Sequence, residues 1–291
     1  ANLLFADAST NRIGIGTSSP ARKVHLHEST SGNNFISFTN STTGSTSGDG
    51  ILVGMDSDES LLITNKENNH ITFATNNTER MRLDSSGRLL IGLTSSRTVA
   101  NAVSINQIEG TTESSSLSIT RNSSASAAAT ARLNFGRSRA NSLGGVTAVA
   151  DDDLLGEIRF SGSDGNDLTN HAASISAIVD GSVSNNTVPG RLVFSTATGS
   201  DPTVKMTIDS SGRLLLGTTT EGNISADDLT VAGSGDTGIT VRSGTSNSGN
   251  LFFSDGTSGG DEYRGYLQYQ HSTNKLAIGT NATTAITIDS S

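Results

Sequence analysis

Residues 208–218 read IDSSGRLLLGT, and residues 83–94 read LDSSGRLLIGLT, which is nearly the same string. A third copy begins at residues 286–291 with ITIDSS. In each copy the residues before the D-S-S-G string alternate between apolar and polar types. In the first two copies an apolar run follows it. A string that recurs in this way indicates an internal structural repeat.

The D-S-S-G string itself predicts a tight turn between two strands. Asp84 and Asp209 stand first, where a carboxylate accepts hydrogen bonds from backbone amides two residues further on. Gly87 and Gly212 stand fourth, where we expect the positive φ that closes a hairpin. Residues 11–17, NRIGIGT, are similar to the exit of the same turn and indicate a degenerate further copy.

Apolar residues recur with a period of two along the chain, which is the period of β-strands with one buried face. We find no convincing amphipathic helix, and the alanine-rich residues 124–131 lie between strands and lack capping residues. The expected fold class is therefore all-β, with repeated antiparallel β-meander or sandwich modules. The apolar pairs that define predicted strands are Ile71/Phe73, Met81/Leu83, Leu117/Ile119, Leu133/Phe135, Ile158/Phe160, Leu192/Phe194, Met206/Ile208, Ile239/Val241, Leu251/Phe253, Leu276/Ile278 and Ile286/Ile288.

The repeats divide the chain into three β modules, 1–92, 93–217 and 218–291, of which the second is longer and carries inserted strands. Because the spacing between copies varies, the unit is a meander of variable length rather than a solenoid with a fixed rung. Insertions in connecting loops cost little free energy, which accounts for the varying length.

Composition excludes several classes of function. The chain has no cysteine, which excludes disulfide bonds and thiolate chemistry. Only 16% of its 291 residues are charged, whereas 45 are Ser and 37 are Thr. The net charge of -9 argues against a nucleic-acid partner, because binding to phosphates needs a basic face. No apolar run approaches the ~20 residues of a membrane-spanning helix, so we expect no membrane insertion.

Three apolar residues point to the face of their strand that we expect to be exposed to solvent. Leu90, Leu215 and Phe252 each stand between two apolar neighbours, so both faces of these strands are apolar. Something must then cover the second face. A second sheet of the same chain could do so, and so could an identical chain in a closed symmetric bundle, which would also cover exposed sheet edges.

Several segments resemble tail fibre proteins of tailed bacteriophages, especially the long fibres of marine and cyanobacterial phages. The resemblance covers most of the chain, and it implies an elongated, intertwined homotrimeric fibre that belongs to the virion and contacts the host outside the cell. Its interface would contain Leu90, Leu215 and Phe252. The segments are TSSPARKVHLHES (17–29), NTERMRLDSSGRLLIG (77–92), LGEIRFSGSDGND (155–167), VPGRLVFSTATGSDPTVKMTIDSSGRLLLGT (188–218) and FSDGTSGGDEYRGYLQYQHS (253–272).

The resemblance also implies partners. These are the chain itself as a homotrimer, other virion tail proteins, and a host cell-surface glycan or protein. Many relatives end in a self-cleaving intramolecular chaperone, and no such segment is seen in this sequence. Because the sequence stops at Ser291 inside a repeat, we expect it to be part of a longer fibre.

His25 and His27 are a candidate metal site. Residues i and i+2 share a strand face, and three chains around an axis would bring six imidazoles together, which suits a transition metal. The alternation also supports another interpretation, in which Val24 and Leu26 take the core face and both histidines lie in water. No other cofactor is expected.

All three tyrosines fall within residues 263–269. Tyr266 shares a strand face with Arg264 and with two glutamines, and this polar strip could meet a glycan. Arg264 and Tyr266 are therefore the candidate glycan contacts. We expect Tyr263 and Tyr269 on the other face, where they pack against apolar neighbours.

The leading interpretation is a structural and adhesive section of a tail fibre that catalyses no reaction. We find no nucleophile elbow, because the G-x-S-x-G match at residues 256–260 (GTSGG) lies among turn residues. One alternative is a polysaccharide-degrading tailspike, which would need a pair of carboxylates in a groove. Another is a bacterial trimeric surface adhesin, which would need a membrane anchor or a secretion signal.

Overall fold

The computed structural model describes residues 4–112, 115–122, 130–199 and 201–289. Within these ranges the chain forms β-strands β1 to β20, a short 3-10 helix and no α-helix, so the predicted all-β class is confirmed. The strands form five sheets with mostly antiparallel neighbours. In the same ranges no helix is long and apolar enough to cross a membrane.

The sheets follow one another along the chain. The first contains β1 (Leu4–Asp7), β2 (Arg12–Ile15) and β3 (Val24–Leu26). The second contains β4 (Asn34–Phe38), β5 (Ile51–Met55) and β6 (Leu61–Asn65). The third contains β7 (Ile71–Thr75), β8 (Thr78–Leu83), β9 (Leu89–Ile91) and β10 (Asn106–Ile108). The fourth contains β11 (Leu154–Ser161), β12 (His171–Val179), β13 (Gly190–Thr196), β14 (Thr203–Ile208), β15 (Leu214–Leu216) and β16 (Leu229–Val231). The fifth contains β17 (Ser248–Phe253), β18 (Gly265–Gln270), β19 (Lys275–Thr280) and β20 (Thr283–Ile288), and the 3-10 helix, Gly259–Tyr263, precedes β18.

Among the described residues, one supersecondary unit occurs three times. An antiparallel hairpin is followed by a crossover loop, which leads to a third strand parallel to the second strand of the hairpin. The string at residues 11–17 forms the same arrangement as the two D-S-S-G copies. The three units are β1-β2-β3, β8-β9-β10 and β14-β15-β16.

The D-S-S-G turns have the hydrogen bonds that the sequence predicts. The Asp84 carboxylate accepts hydrogen bonds from the backbone amides of Ser86 (2.9 Å) and Arg88 (3.0 Å). Gly87 has a φ of 77°. The Asp209 carboxylate accepts the two corresponding bonds of the second copy at 2.9 Å each. These bonds satisfy amides that the hairpin itself leaves unpaired.

A glycine follows the second strand of each hairpin for a steric reason. Gly16, Gly92 and Gly217 have φ values of 78°, 77° and 74°. A Cβ atom at any of the three would lie 2.1 to 2.2 Å from a carbonyl oxygen at the end of the parallel strand. Only glycine permits this close approach, so the crossover depends on it. The oxygens belong to His27, Glu109 and Ala232.

Most predicted strands are present, but three alternating segments do not form strands. Within the described ranges, their apolar residues make no backbone–backbone hydrogen bond. A period of two defines two faces, but a strand also needs a neighbouring strand to bond with. The alanine-rich residues 124–129 lie outside the described residues. The three segments contain Leu117/Ile119, Leu133/Phe135 and Ile239/Val241.

The described chain groups into two compact units. One consists of Ala1–Thr147, Leu154–Ser176 and Ser195–Thr203, and the other of Ala148–Asp153, Ala177–Phe194 and Val204–Ser291. These units follow spatial contacts, whereas the modules 1–92, 93–217 and 218–291 follow sequence repeats. The three-module division stays a prediction.

Candidate self-association face and aromatic pocket

The sheet β7–β10 has one apolar face that its own chain leaves exposed. Cross-strand register places two rows of apolar side chains on this face. Phe73, Leu83, Ile91 and Ile108 in these rows are 37–48% exposed. The rows contain Ile71, Leu83 and Leu89, and Phe73, Met81, Ile91 and Ile108.

The other four sheets expose an equivalent apolar face, and together these surfaces are called the exposed apolar face. Most monomeric proteins do not leave apolar rows of this length open to water. Its most exposed members are Leu4, Ile13, Ile15 and Val24 in β1–β3 (42–67%), Ile36, Phe38, Leu61 and Ile63 in β4–β6 (44–75%), Val204, Leu216 and Leu229 in β14–β16 (43–52%), and Leu251, Phe253, Ile286 and Ile288 in β17–β20 (53–59%).

The chain as a whole exposes far more surface than a folded monomer of its mass. Its accessible surface is 20830 Å² for 29.9 kDa. The scaling for folded monomers gives about 11,700 Å² at this mass. Among the described residues, the buried apolar core is correspondingly small. It consists of Leu90, Ala100, Val149, Val179, Val193, Leu215 and Ala277.

Leu90 lies on the opposite face of β9, between Arg82 and Gln107 on the neighbouring strands. The crossover loop folds over this face: Arg82 donates to the carbonyl oxygen of Thr94 (2.6 Å), and the Gln107 amide bonds the backbone of Arg97 (2.8 and 3.1 Å). Leu90 is 0% exposed as a result. The prediction that it lies at a trimer interface is wrong, because its own chain leaves no Leu90 surface for a second chain.

Leu215 is covered in the same way in the β14–β16 unit. It is 3% exposed and lies between Thr207 and Thr230. The Thr230 hydroxyl accepts a hydrogen bond from the Gly222 amide of the crossover loop (3.0 Å). The interface prediction is therefore wrong for Leu215 as well. The alternation shows that a second face is apolar, but it does not show that an intrachain loop covers it.

Arg213 ties this turn to the crossover loop. Its guanidinium donates to Asp209 (2.7 Å) and to Asp227 (3.0 Å). These two bonds raise the pKa of Arg213 above its usual value. Burial works to raise the pKa of Asp209, but the backbone amide and the guanidinium of Arg213 outweigh burial and hold the pKa of Asp209 below its usual value. One ion-pair cluster thus joins the hairpin, the exit strand and the loop.

The three alternating segments without strand partners are also exposed. Their apolar side chains are 48–71% exposed in the single chain. Unpaired backbone amides and carbonyls beside such side chains are typical of a strand that lacks its neighbour. The residues are Leu117, Ile119, Leu133, Phe135, Ile239 and Val241.

The predicted metal-binding pair lies at the end of β3. The imidazole centroids of His25 and His27 are 6.0 Å apart, and His25 Nδ1 accepts a hydrogen bond from the Ala21 amide (3.2 Å). In the part of the chain that the structure describes, no three metal-ligating side chains come together. A metal site at this pair would need ligands from other chains, and it stays a prediction.

An aromatic pocket of about 250 Å³ lies on the last sheet, on the face opposite the exposed apolar face. It is lined by Phe252, Tyr263, Tyr266 and Gln268. The Phe252 ring centroid lies 6.0 Å from that of Tyr263 and 6.3 Å from that of Tyr266, with the latter ring nearly perpendicular. Phe252 remains 47% exposed, and its observed neighbours are aromatic rings of its own chain.

Neighbouring groups hold the pocket residues in place. Gly279 stands opposite Tyr266, and a Cβ atom there would lie 2.1 Å from a Tyr266 ring carbon, so the ring lies flat over the strand. The Tyr266 hydroxyl bonds the Thr284 hydroxyl (2.5 Å), and Gln268 donates to Asn250 (2.8 Å). The pocket is therefore largely formed before any ligand arrives.

The structure also shows the surroundings of Arg264, the second candidate glycan contact, and the face on which Tyr263 lies. Arg264 is held by its own chain, because its guanidinium bonds Asp255 (3.3 Å), Asp261 (2.5 Å) and Asn281 (2.9 Å). Tyr263 packs against Phe252 on the Tyr266 side, so the expectation that it shares a face with Tyr269 is wrong. The 3-10 helix that ends at Tyr263 interrupts the strand alternation on which that expectation depended.

No family model and no curated protein matches the chain. Among solved structures, the carboxy-terminal domain of the bacteriophage T5 L-shaped tail fibre matches with 18% identity and a TM-score of 0.37, over 72% of this chain and 80% of that chain. The same domain with its intramolecular chaperone domain matches with 15% identity and a TM-score of 0.37, over 73% of this chain and 56% of that chain.

Both of these structural neighbours are phage tail fibre domains. The TM-scores are too low for the likeness to carry an argument.

Proposed function

We propose that the chain is a structural and adhesive section of a phage tail fibre, a virion component that assembles as a homotrimer outside the cell and catalyses no reaction. The observation that supports this proposal is the exposed apolar face, which recurs in the five sheets of the described chain. Other virion tail proteins and a host-surface glycan or protein would be its further partners.

Burial of the exposed apolar face would supply the free energy of assembly. Each 1,000 Å² of apolar surface removed from water contributes about 25 kcal/mol. Association costs an estimated 4–15 kcal/mol in lost translational and rotational freedom, plus about 0.5–1.5 kcal/mol per immobilised side chain. The chain exposes about 9,000 Å² more total surface than a monomer of its mass should, and the exposed apolar face is part of this surplus.

The three segments without strand partners supply a second kind of contact. Leu133 and Phe135 lie in one of them, and their backbone groups would add as a strand to a sheet edge of a sister chain. Such exchange gives main-chain hydrogen bonds for affinity and alternate side chains for register. It would convert three exposed apolar segments into intersubunit strands.

Two neighbouring residues of β7 test the proposal. Phe73 lies on the exposed apolar face, and Thr72, also exposed, points to the opposite face. We expect light scattering to give a mass of about 90 kDa, three times the chain mass of 29.9 kDa, for the natural chain and for Thr72→Lys. Phe73→Lys should lower this mass, because the face cannot desolvate a lysine ammonium without a partner.

Circular dichroism of each variant shows whether the strands are retained. If Phe73→Lys fails to fold, Phe73→Ser provides a milder change on the same face. A natural chain that stays at 29.9 kDa across the concentration range would contradict the proposal. Equal masses for folded Phe73→Lys and Thr72→Lys would show that the exposed apolar face is not the interface.

A further inference from the structure

We propose that the aromatic pocket of β17–β20 binds one pyranose ring of a neutral saccharide. The site consists of Phe252, Tyr263, Tyr266 and Gln268. This inference deepens the proposed function by naming the class of host ligand and the place where it binds.

The shape of the pocket suits a sugar ring. Its volume of about 250 Å³ is enough for a single pyranose and too small for a folded partner. Phe252 and Tyr263 are tilted at 45° to each other, and Tyr266 stands at 84° to Phe252, so the pocket is lined by aromatic rings in different orientations. The axial C–H groups of a pyranose carry partial positive charge and pack against the negative face of an aromatic ring.

The polar groups at the pocket are amides and hydroxyls with further hydrogen-bonding capacity. Gln268 donates to Asn250 and accepts from Gln270, at 2.8 Å each, which leaves it one N–H and one lone pair. The Tyr266 hydroxyl bonds the Thr284 hydroxyl, and a phenolic oxygen can both donate and accept. Sugar hydroxyls are also donors and acceptors, so they match groups of this kind.

The charges near the pocket favour a neutral ligand. Arg264 is the nearest cation in sequence, and its guanidinium already bonds Asp255 and Asp261. The chain carries a net charge of -9, which repels anionic polysaccharides. A sialic acid or a uronic acid would therefore meet an unfavourable field and a guanidinium that is already paired.

The pocket also lies on the side of the sheet that assembly would leave open. Leu251 and Phe253 belong to the exposed apolar face, whereas Phe252 alternates with them and points the opposite way. If the exposed apolar face meets sister chains, the pocket faces outward. This step alone rests on the proposed function, and the pocket would bind a sugar in the free chain as well.

The tyrosines provide a direct readout. The chain has three Tyr and no Trp, and two of the three line the pocket, so its ultraviolet emission comes from this hairpin. We would titrate the assembled protein with the methyl glycosides of glucose, galactose and mannose, and with N-acetylneuraminic acid as the anionic comparison. Saturation-transfer NMR on the same samples shows which ring protons contact the protein.

We expect at least one neutral glycoside to change the tyrosine emission and to show saturation transfer at its ring protons, while N-acetylneuraminic acid shows neither. Phe252→Leu keeps an apolar side chain but removes the flat ring, and it should reduce transfer about fivefold or more. Phe253→Leu is the matched control on the opposite face and should leave transfer unchanged.

Three outcomes would overturn the inference. These are no transfer from any of the three neutral glycosides, stronger transfer from N-acetylneuraminic acid, and equal transfer in Phe252→Leu and Phe253→Leu. If Phe252→Leu loses its strands by circular dichroism, Gln268→Leu tests the same site. The mass measured by light scattering is independent of sugar binding, so a failure of the assembly proposal can be told from a failure of the sugar site.

Discussion

The same sequence pattern has opposite surroundings in two parts of the molecule. One part is the units β8-β9-β10 and β14-β15-β16, and the other is the last sheet, β17–β20. In the two units, an apolar residue between apolar neighbours is buried, as Leu90 (0% exposed) and Leu215 (3%) are. In the last sheet, Phe252 has the same pattern and is 47% exposed. The units end in a crossover loop that covers the second face, whereas all three strand pairs of β17–β20 are antiparallel.

The connection between strands therefore decides what happens to the second face of a meander. A crossover loop to a parallel strand must pass over one face of the sheet, and the side chains beneath it become core. The antiparallel connections of the last sheet carry no crossover loop, so the apolar face is available to other chains and the other face, where Tyr263 of the 3-10 helix meets Phe252, can become a binding surface. Four experiments test this comparison.

The largest effect is expected from blocking the crossover. Gly217→Ala places a Cβ atom 2.2 Å from the Ala232 carbonyl oxygen at a φ of 74°. We expect a loss of about 3 kcal/mol or more in the free energy of unfolding, because the strand pair must separate. Gly212→Ala is the matched control: its φ is 84°, but nothing lies within 4 Å of the added atom.

The control should cost only about 1 kcal/mol, since it introduces a strained φ without a clash. Guanidinium titration followed by circular dichroism measures both variants. Equal losses would show that the close approach at Gly217 is not what fixes the parallel strand.

The next effect separates the two faces of β15. Leu215→Ala leaves a cavity under the crossover loop and should lower the free energy of unfolding by about 3 kcal/mol. Leu216 is 43% exposed in the chain, so Leu216→Ala should cost the separated chain about 1 kcal/mol or less. Its main effect should instead be weaker self-association, seen as a lower mass at high dilution by light scattering. A larger loss in the free energy of unfolding for Leu216→Ala than for Leu215→Ala would show that Leu216, not Leu215, lies on the buried face.

A smaller effect is expected from the ion-pair cluster at the turn. Asp209→Asn keeps the shape of the side chain but removes its charge beside Arg213, and it should cost about 2 kcal/mol at neutral pH. The folded pKa of Asp209 is lowered, so its contribution is fully present above its unfolded pKa of about 4. The contribution is lost as pH falls through the folded value.

The stability curves of the natural chain and of Asp209→Asn, recorded by thermal melting, should therefore run parallel from pH 7 to about pH 4 and converge below it. Ser211→Ala lies in the same turn and keeps the backbone amide that donates to Asp209, so it should leave the pH dependence unchanged. A difference that persists undiminished at low pH would show that the Asp209 charge is not responsible.

The smallest effect on stability is expected in the open sheet. Phe252→Leu should change the free energy of unfolding by about 1 kcal/mol or less, because nearly half of the ring already faces solvent. A thermal shift as large as that of Leu215→Ala would show that the Phe252 face is covered after all, and the contrast between the two kinds of sheet would disappear.

The period of two and the turn residues are local properties, so the sequence was sufficient to place most strands, the D-S-S-G hairpins and the all-β class. Asp84 and Gly87 act within a few residues of themselves, where backbone sterics and short hydrogen bonds leave little choice. The sequence also showed that the three tyrosines lie close together. The 3-10 helix, however, places Tyr263 on the same face as Tyr266 rather than on the face of Tyr269.

The burial of Leu90 and Leu215 was not visible in the sequence, because it depends on where a loop of low sequence signal passes over a sheet. The same holds for Leu133 and Phe135, whose alternation is that of a strand but which have no bonding neighbour among the described residues of their own chain. The alternation of apolar and polar residues indicates on which face of a strand a side chain lies. Which surface covers that face depends on the path of segments that are distant in sequence, and only the tertiary structure decides it.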